Sequence, residues 1–127
     1  FKLKILKKDI KKRRKIASIY NSELSNINEL NLVPPPNYSK DNYDVFQNYE
    51  ISVENRDNLK KYLLKNGIKT LIQWNGKAVH QIKPLKLKAN VPETDIFFKK
   101  CIMLPIHTYL REKEVIYICR KVKEFYN

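Results

Sequence analysis

Trp74-Asn75-Gly76-Lys77-Ala78-Val79-His80-Gln81 places a flat aromatic, a tight-turn pair, a cation and an imidazole within one short stretch. Such a group suits an anionic, polyhydroxylated ligand. Trp74 offers a face for a sugar or base, Lys77 a partner for phosphate, and His80 a donor or acceptor near neutral pH. A plainer reading stands beside it, in which Trp74 caps the core and Lys77 and His80 are simply exposed. Gln47 and Asn48 are further candidates, set between Phe46 and Tyr49. As strand residues they would face opposite ways, and either is a surface amide or a hydrogen-bond anchor at a sheet edge. His107, after Pro105, reads as a solvated or capping residue.

Little else in the chain could run a reaction. With only 2 glycines there is no Gly-rich phosphate cradle. No serine sits in a nucleophile elbow, and neither cysteine has a setting that marks an activated thiol. No catalytic residue is therefore assigned. Cys101 and Cys119 fit no metal or redox spacing and read as small, reduced core residues, which suits the cytoplasm. His80 and His107 stand apart from any second ligand, so no zinc site is expected. No apolar run approaches the roughly 18 residues of a membrane span, and no signal-peptide pattern occurs. No membrane partner is expected.

Positioning the 74–81 segment falls to alternating helices and strands. Leu3, Leu6, Ile10, Ala17, Tyr20 and Leu24 recur at steps of three and four, interrupted at Arg13. The spacing predicts one amphipathic helix from residue 1 to about 24 with a basic outer face. Pro34-Pro35-Pro36 ends it and enforces extended geometry. Residues 45–53 read as a strand, alternating from Tyr49 onwards. Asn55 then serves as the N-cap of a helix carrying Leu59, Tyr62 and Leu63, stopped at Asn66-Gly67. Residues 68–74 are predicted as a second strand, broken at Asn75-Gly76. Residues 77–91 form an irregular excursion of the kind that carries function when ordered. Pro92 opens a short helix, residues 101–104 form a brief buried strand, and residues 111–125 form a last helix. That helix carries Val115, Ile118, Cys119, Val122 and Phe125 on one face. The expected fold is α+β: a small, mainly antiparallel three-stranded sheet packed against helices, with a long N-terminal connector helix. Residues 1–127 form a single domain, with 1–24 as connector and 45–127 as core.

The net charge of +13 is uneven, because residues 1–15 hold nine Lys or Arg against Asp9. A basic helix of this kind is either a solvated face with a packing stripe or a phosphate-contacting surface. Lysine far outnumbers arginine among the 26 basic residues, whereas bidentate phosphate readers favour arginine. Nucleic acid is thus not the expected partner. A basic nucleic-acid-binding or regulatory interaction module is the alternative reading.

Several words of the sequence, taken in order, carry a resemblance. They are Arg13-Arg14-Lys15-Ile16-Ala17 with Tyr20, Pro34-Pro35-Pro36, Val45-Phe46-Gln47-Asn48-Tyr49, and Arg56-Asp57-Asn58-Leu59 through Gly67-Ile68. Gln73-Trp74 through Gln81, Met103-Leu104-Pro105 and Glu114-Val115 complete the set. Together they resemble the C-terminal small domain of the DegT/DnrJ-type sugar aminotransferases. That family comprises fold-type-I pyridoxal phosphate enzymes that aminate keto groups on nucleotide-linked sugars. The resemblance implies that this chain lines one wall of a substrate cleft, with Trp74, Lys77 and His80 approaching the nucleotide-sugar and Gln47 or Asn48 nearby. It implies a large domain, outside these residues, that supplies the Schiff-base lysine and the other cofactor contacts. Pyridoxal phosphate is then the cofactor of the parent enzyme and is not expected on this chain alone. The chain is accordingly expected to be a fragment, inactive by itself, of a cytoplasmic homodimer. Arg111 departs from the family, which often has a Thr or Ser there to cap the last helix.

Overall fold

The computed structural model describes residues 2–127, so the predicted helix start at Phe1 lies outside the described residues. Helix α1 (Lys2–Leu24) leads into a two-residue strand β1 (Leu30–Asn31), then β2 (Tyr49–Val53) and α2 (Arg56–Lys65). After a long stretch of turns come α3 (Pro92–Lys100), β3 (Cys101–Leu104) and α4 (Glu112–Tyr126). The sheet is antiparallel throughout, in the order β1-β2-β3. Tyr49 pairs with Leu104 and Ile51 with Ile102, while Leu30 pairs with Val53. The architecture is the expected α+β arrangement of four helices and a small three-stranded sheet.

One face of β2 carries the core. Tyr49, Ile51 and Val53 are buried, and Glu50 and Ser52 between them are not. Against that face pack Ile16, Ala17, Tyr20 and Leu24 of α1, Leu59 and Leu63 of α2, and Val115, Ile118, Cys119 and Val122 of α4. The rings of Tyr20 and Tyr49 lie 4.8 Å apart between centroids. Buried phenols need partners, and both have one. Tyr20 donates to the Pro105 carbonyl at 2.7 Å, and Tyr49 donates to Asn21 Oδ1 at 3.0 Å. Burial pushes both phenols well above the ordinary tyrosine range. Cys101 and Cys119 are free and buried, as the sequence predicts, and burial drives the Cys119 thiol up to about 12. The apolar stripe of α1 divides in two. Ala17, Tyr20 and Leu24 are buried, but Leu3 is 82% exposed and Leu6 is also exposed.

Two sequence expectations fail locally, each for a physical reason. The third strand is β1, not residues 68–74. That segment touches the sheet at one point, Leu71 against Met103. In an antiparallel ladder the next hydrogen-bonded pairs would be Lys69 with Pro105 and Gln73 with Cys101. Pro105 has no N–H to give, and the Cys101 N–H is already bonded to the Phe97 carbonyl at the end of α3. The ladder cannot extend either way. The second failure concerns residues 45–48. The strand begins only at Tyr49, because Phe46 is left-handed at φ 49 and its N–H is held by Asp44 Oδ1 at 2.6 Å. Gln47 and Asn48 therefore precede the strand, where strand alternation does not apply, and both are exposed.

Asn55 does sit at the N-cap of α2, but by another mechanism. It is left-handed at φ 54, and its Oδ1 accepts from the Asn58 side chain at 2.8 Å without capping the helix. The other end is as expected. Gly67, at φ 75, lets the Ile68 N–H reach back to the Leu63 carbonyl at 2.9 Å and closes the helix.

Candidate functional site

The turn at Trp74 is built on two side chains from elsewhere in the chain. Trp74 (φ 47, ψ 37) and Asn75 (φ 54, ψ 30) are both left-handed, and Gly76 follows at φ 72. Asn tolerates this region, but the bulky Trp74 is there at a cost of roughly 1–2 kcal/mol, so its surroundings must hold it. The Arg56 side chain, 12% exposed, lies against Gly76 at the end of that turn. Its Nη1 donates to the Phe98 carbonyl at 3.2 Å and to the Cys101 carbonyl at 3.3 Å, where α3 passes into β3. A methyl group on Gly76 would come within 3.2 Å of that nitrogen and 3.3 Å of the Phe98 oxygen. The Trp74 ring stacks on Phe98 at 6.2 Å and 15°. It still leaves 60% of the residue exposed, a flat aromatic surface held from below.

Two turns later the chain is tied down again. His80 Nε2 lies 2.8 Å from Asp95 Oδ1, and the Gln81 amide donates to the same oxygen. Gln81 Oε1 in turn accepts the Ala78 N–H at 3.1 Å. Asp95 belongs to the first turn of α3, where Pro92 opens the helix and a carboxylate suits the positive end of the helix dipole. Between the two anchored points Lys77 is exposed, and among the described residues its ammonium makes no ion pair or hydrogen bond. Trp74, Lys77 and His80 thus share one short segment, fixed at both ends to α3.

Gln47 and Asn48 lie elsewhere. They line a cleft of about 760 Å³ with Ile68, Leu71, Met103, His107 and Tyr117, a concavity that Trp74, Lys77 and His80 do not line. Its carboxylate, Glu114, is already engaged. It accepts from the Arg111 backbone N–H at 2.8 Å and from Arg111 Nη2 at 2.8 Å. Those bonds from the Arg111 side chain and backbone hold Glu114 down at about 2. Among the described residues, no three His, Cys, Asp or Glu side chains converge as a metal would require.

The family model described as the DegT/DnrJ/EryC1/StrS aminotransferase family matches residues 1–123. The chain belongs to that family. Among curated proteins it is 29% identical to a pleiotropic regulatory protein of Geobacillus stearothermophilus, over 90% of this chain and 31% of that one. It is 25% identical to a UDP-2-acetamido-2-deoxy-3-oxo-D-glucuronate aminotransferase of Pseudomonas aeruginosa, over 93% of this chain and 32% of the relative. Among solved structures, a DegT/DnrJ/EryC1/StrS aminotransferase from Brucella abortus superposes with a TM-score of 0.86 at 28% identity. That superposition covers 99% of this chain and 33% of the other. The chain spans about a third of the length of the aminotransferases it matches.

Within this aminotransferase-family chain, the residues that sequence reading missed are the supports. Asp95 lies fifteen positions from His80, and no periodicity links the two. Arg56 figures in the sequence only as part of a matching word. Its place beneath Gly76 depends on where α3 ends. One local signal was available for the turn: a Gly after Asn-bearing sequence marks left-handed backbone.

Proposed function

We propose that this chain is the C-terminal, substrate-side domain of a pyridoxal phosphate-dependent nucleotide-sugar aminotransferase. In this reading Trp74 stacks on the sugar or base, Lys77 pairs with the diphosphate and His80 bonds a hydroxyl. Gln47 and Asn48 stand at the neighbouring cleft. The observation that carries the reading is the aromatic, free cation and anchored imidazole on one strip held to α3. Family membership and the coverage of a third of each relative support it.

The cofactor belongs, in this reading, to a large domain outside these residues. Lys69 and Lys77, the lysines of the cleft and of the turn, are exposed, and Glu114 is bound to Arg111. Neither group is placed as a tether for an aldehyde or an acidic partner for a pyridine nitrogen, which supports the reading that the chain alone is inactive. The exposed first half of α1, with Leu3 and Leu6, is the face a large domain would cover. The parent enzyme is a homodimer of the cytoplasm, a compartment that suits two buried free thiols.

Trp74 is the chain's single tryptophan, so its fluorescence reports binding directly. Titration with a UDP- or TDP-linked sugar should quench it, and Lys77→Ala should weaken the apparent affinity about tenfold, the loss of one charge-assisted contact. Unchanged emission up to millimolar ligand would reject the assignment. So would a visible absorbance band from pyridoxal phosphate held at one specific lysine of the isolated chain.

A further inference from the structure

We infer that Asp95 is a positioning residue for His80. The inference rests on the reading of His80 as a substrate contact and goes beyond it by stating which ring nitrogen meets the ligand and what holds it there. A carboxylate only accepts, so the 2.8 Å contact requires His80 Nε2 to carry the proton. The two imidazole nitrogens point to different sides of the ring. Nδ1 has no partner among the described residues and is not sealed in the interior. In the neutral ring it is an acceptor, suited to a hydroxyl of the sugar or ribose and not to a phosphate oxygen.

Asp95 does more than orient one ring. The same Oδ1 takes the Gln81 amide, and Gln81 fixes the Ala78 N–H, so one carboxylate organises residues 78–81 as a unit. The His80 side chain is 15% exposed and that of Asp95 34%, so the pair is shielded enough for the bond to persist while ligand can still reach the ring. Division of labour along the segment follows. Lys77 faces the anion, and His80 reads a hydroxyl.

The test uses the 127-residue chain and long-range proton–nitrogen NMR of the histidine rings. The parent should show a slowly exchanging proton on His80 Nε2. Asp95→Ala should speed its exchange at least tenfold. Asp95→Asn keeps an acceptor without the charge, and should retain the proton but move it upfield, which serves as the readout if the alanine variant does not fold. Glu93→Ala, in the same helical turn, should change nothing. A ring proton on Nδ1, or an Nε2 proton indifferent to both Asp95 variants, overturns the positioning role and leaves the substrate reading intact. Titration with uridine diphosphate-glucose separates the other failure. It should shift His80 Nδ1 in the parent, about tenfold more weakly in Asp95→Ala. Normal ring behaviour with no Nδ1 response in the parent would mean that Asp95 merely staples the loop, and the substrate reading falls with the inference.

Discussion

Gly67 and Gly76 both stand at positive φ, yet what surrounds them differs. Around Gly67 a new methyl group meets nothing within 4 Å, whereas at Gly76 it meets Arg56 at 3.2 Å and the Phe98 carbonyl at 3.3 Å. Gly67→Ala should therefore cost only the left-handed penalty of roughly 1–2 kcal/mol. Gly76→Ala should cost about 1 kcal/mol more, because a backbone oxygen cannot step aside cheaply. Urea unfolding of the two variants checks the difference, and equal losses would mean that Phe98 and Arg56 do not crowd Gly76. The same contrast shows where residue-level reading stops. Position 67 was legible, since a helix stop is local chemistry. The crowding at Gly76 was not, because Arg56 and Phe98 arrive from other elements. Asn55 falls between: its place at the start of α2 was legible, but its left-handed backbone and its bond to Asn58 were not.

Helix α4 shows how an element can begin well without the usual cap. Arg111 has no acceptor to offer the first turn, and Glu114 instead reaches back to the Arg111 N–H while its second oxygen pairs with the guanidinium. This is the acidic half of a capping box, with the hydroxyl half replaced by an ion pair. The bonds from Arg111 lower Glu114 to about 2. A depressed acid adds stability above its unfolded value, and that contribution fades as pH falls from about 4.5 towards 2. Thermal melts at pH 5 and pH 2.5 should differ more in the parent than in Glu114→Gln; an equal pH response in both would show that this cap contributes nothing. At this scale the sequence was most readable where periodicity sets the fold. The buried face of α4 and the alternation of β2 came directly from spacing. Residues 68–74 misled because they retain strand-like alternation, with Ile68 and Thr70 buried and Lys69 and Leu71 exposed. What they lack is available hydrogen-bond partners on β3, a property of residues thirty positions away.

The molecule as a whole rests on the second half of α1. Leu24 is fully buried among the sheet and α4, and Leu24→Ala should destabilise by about 2–5 kcal/mol. A double change of Leu3→Ser and Leu6→Ser should stay within about 0.5 kcal/mol in the isolated chain. Calorimetry of both variants tests the division, and a large loss from the outer pair would mean that α1 is supported along its full length. The periodicity of α1 was readable as one stripe, but the sequence could not say that only its second half is buried in this chain's core. The outer border of β3 bears on how the isolated chain behaves. Each main-chain group there is already taken. The Cys101 N–H serves α3 and its carbonyl serves Arg56; Met103 is paired with Leu71; Pro105 has no N–H, and its carbonyl serves Tyr20. A sheet rim with no free donor or acceptor gives a second molecule nothing to zip onto. This polypeptide should therefore stay clear of strand-swapped polymers and fibril seeding along that rim, even when concentrated.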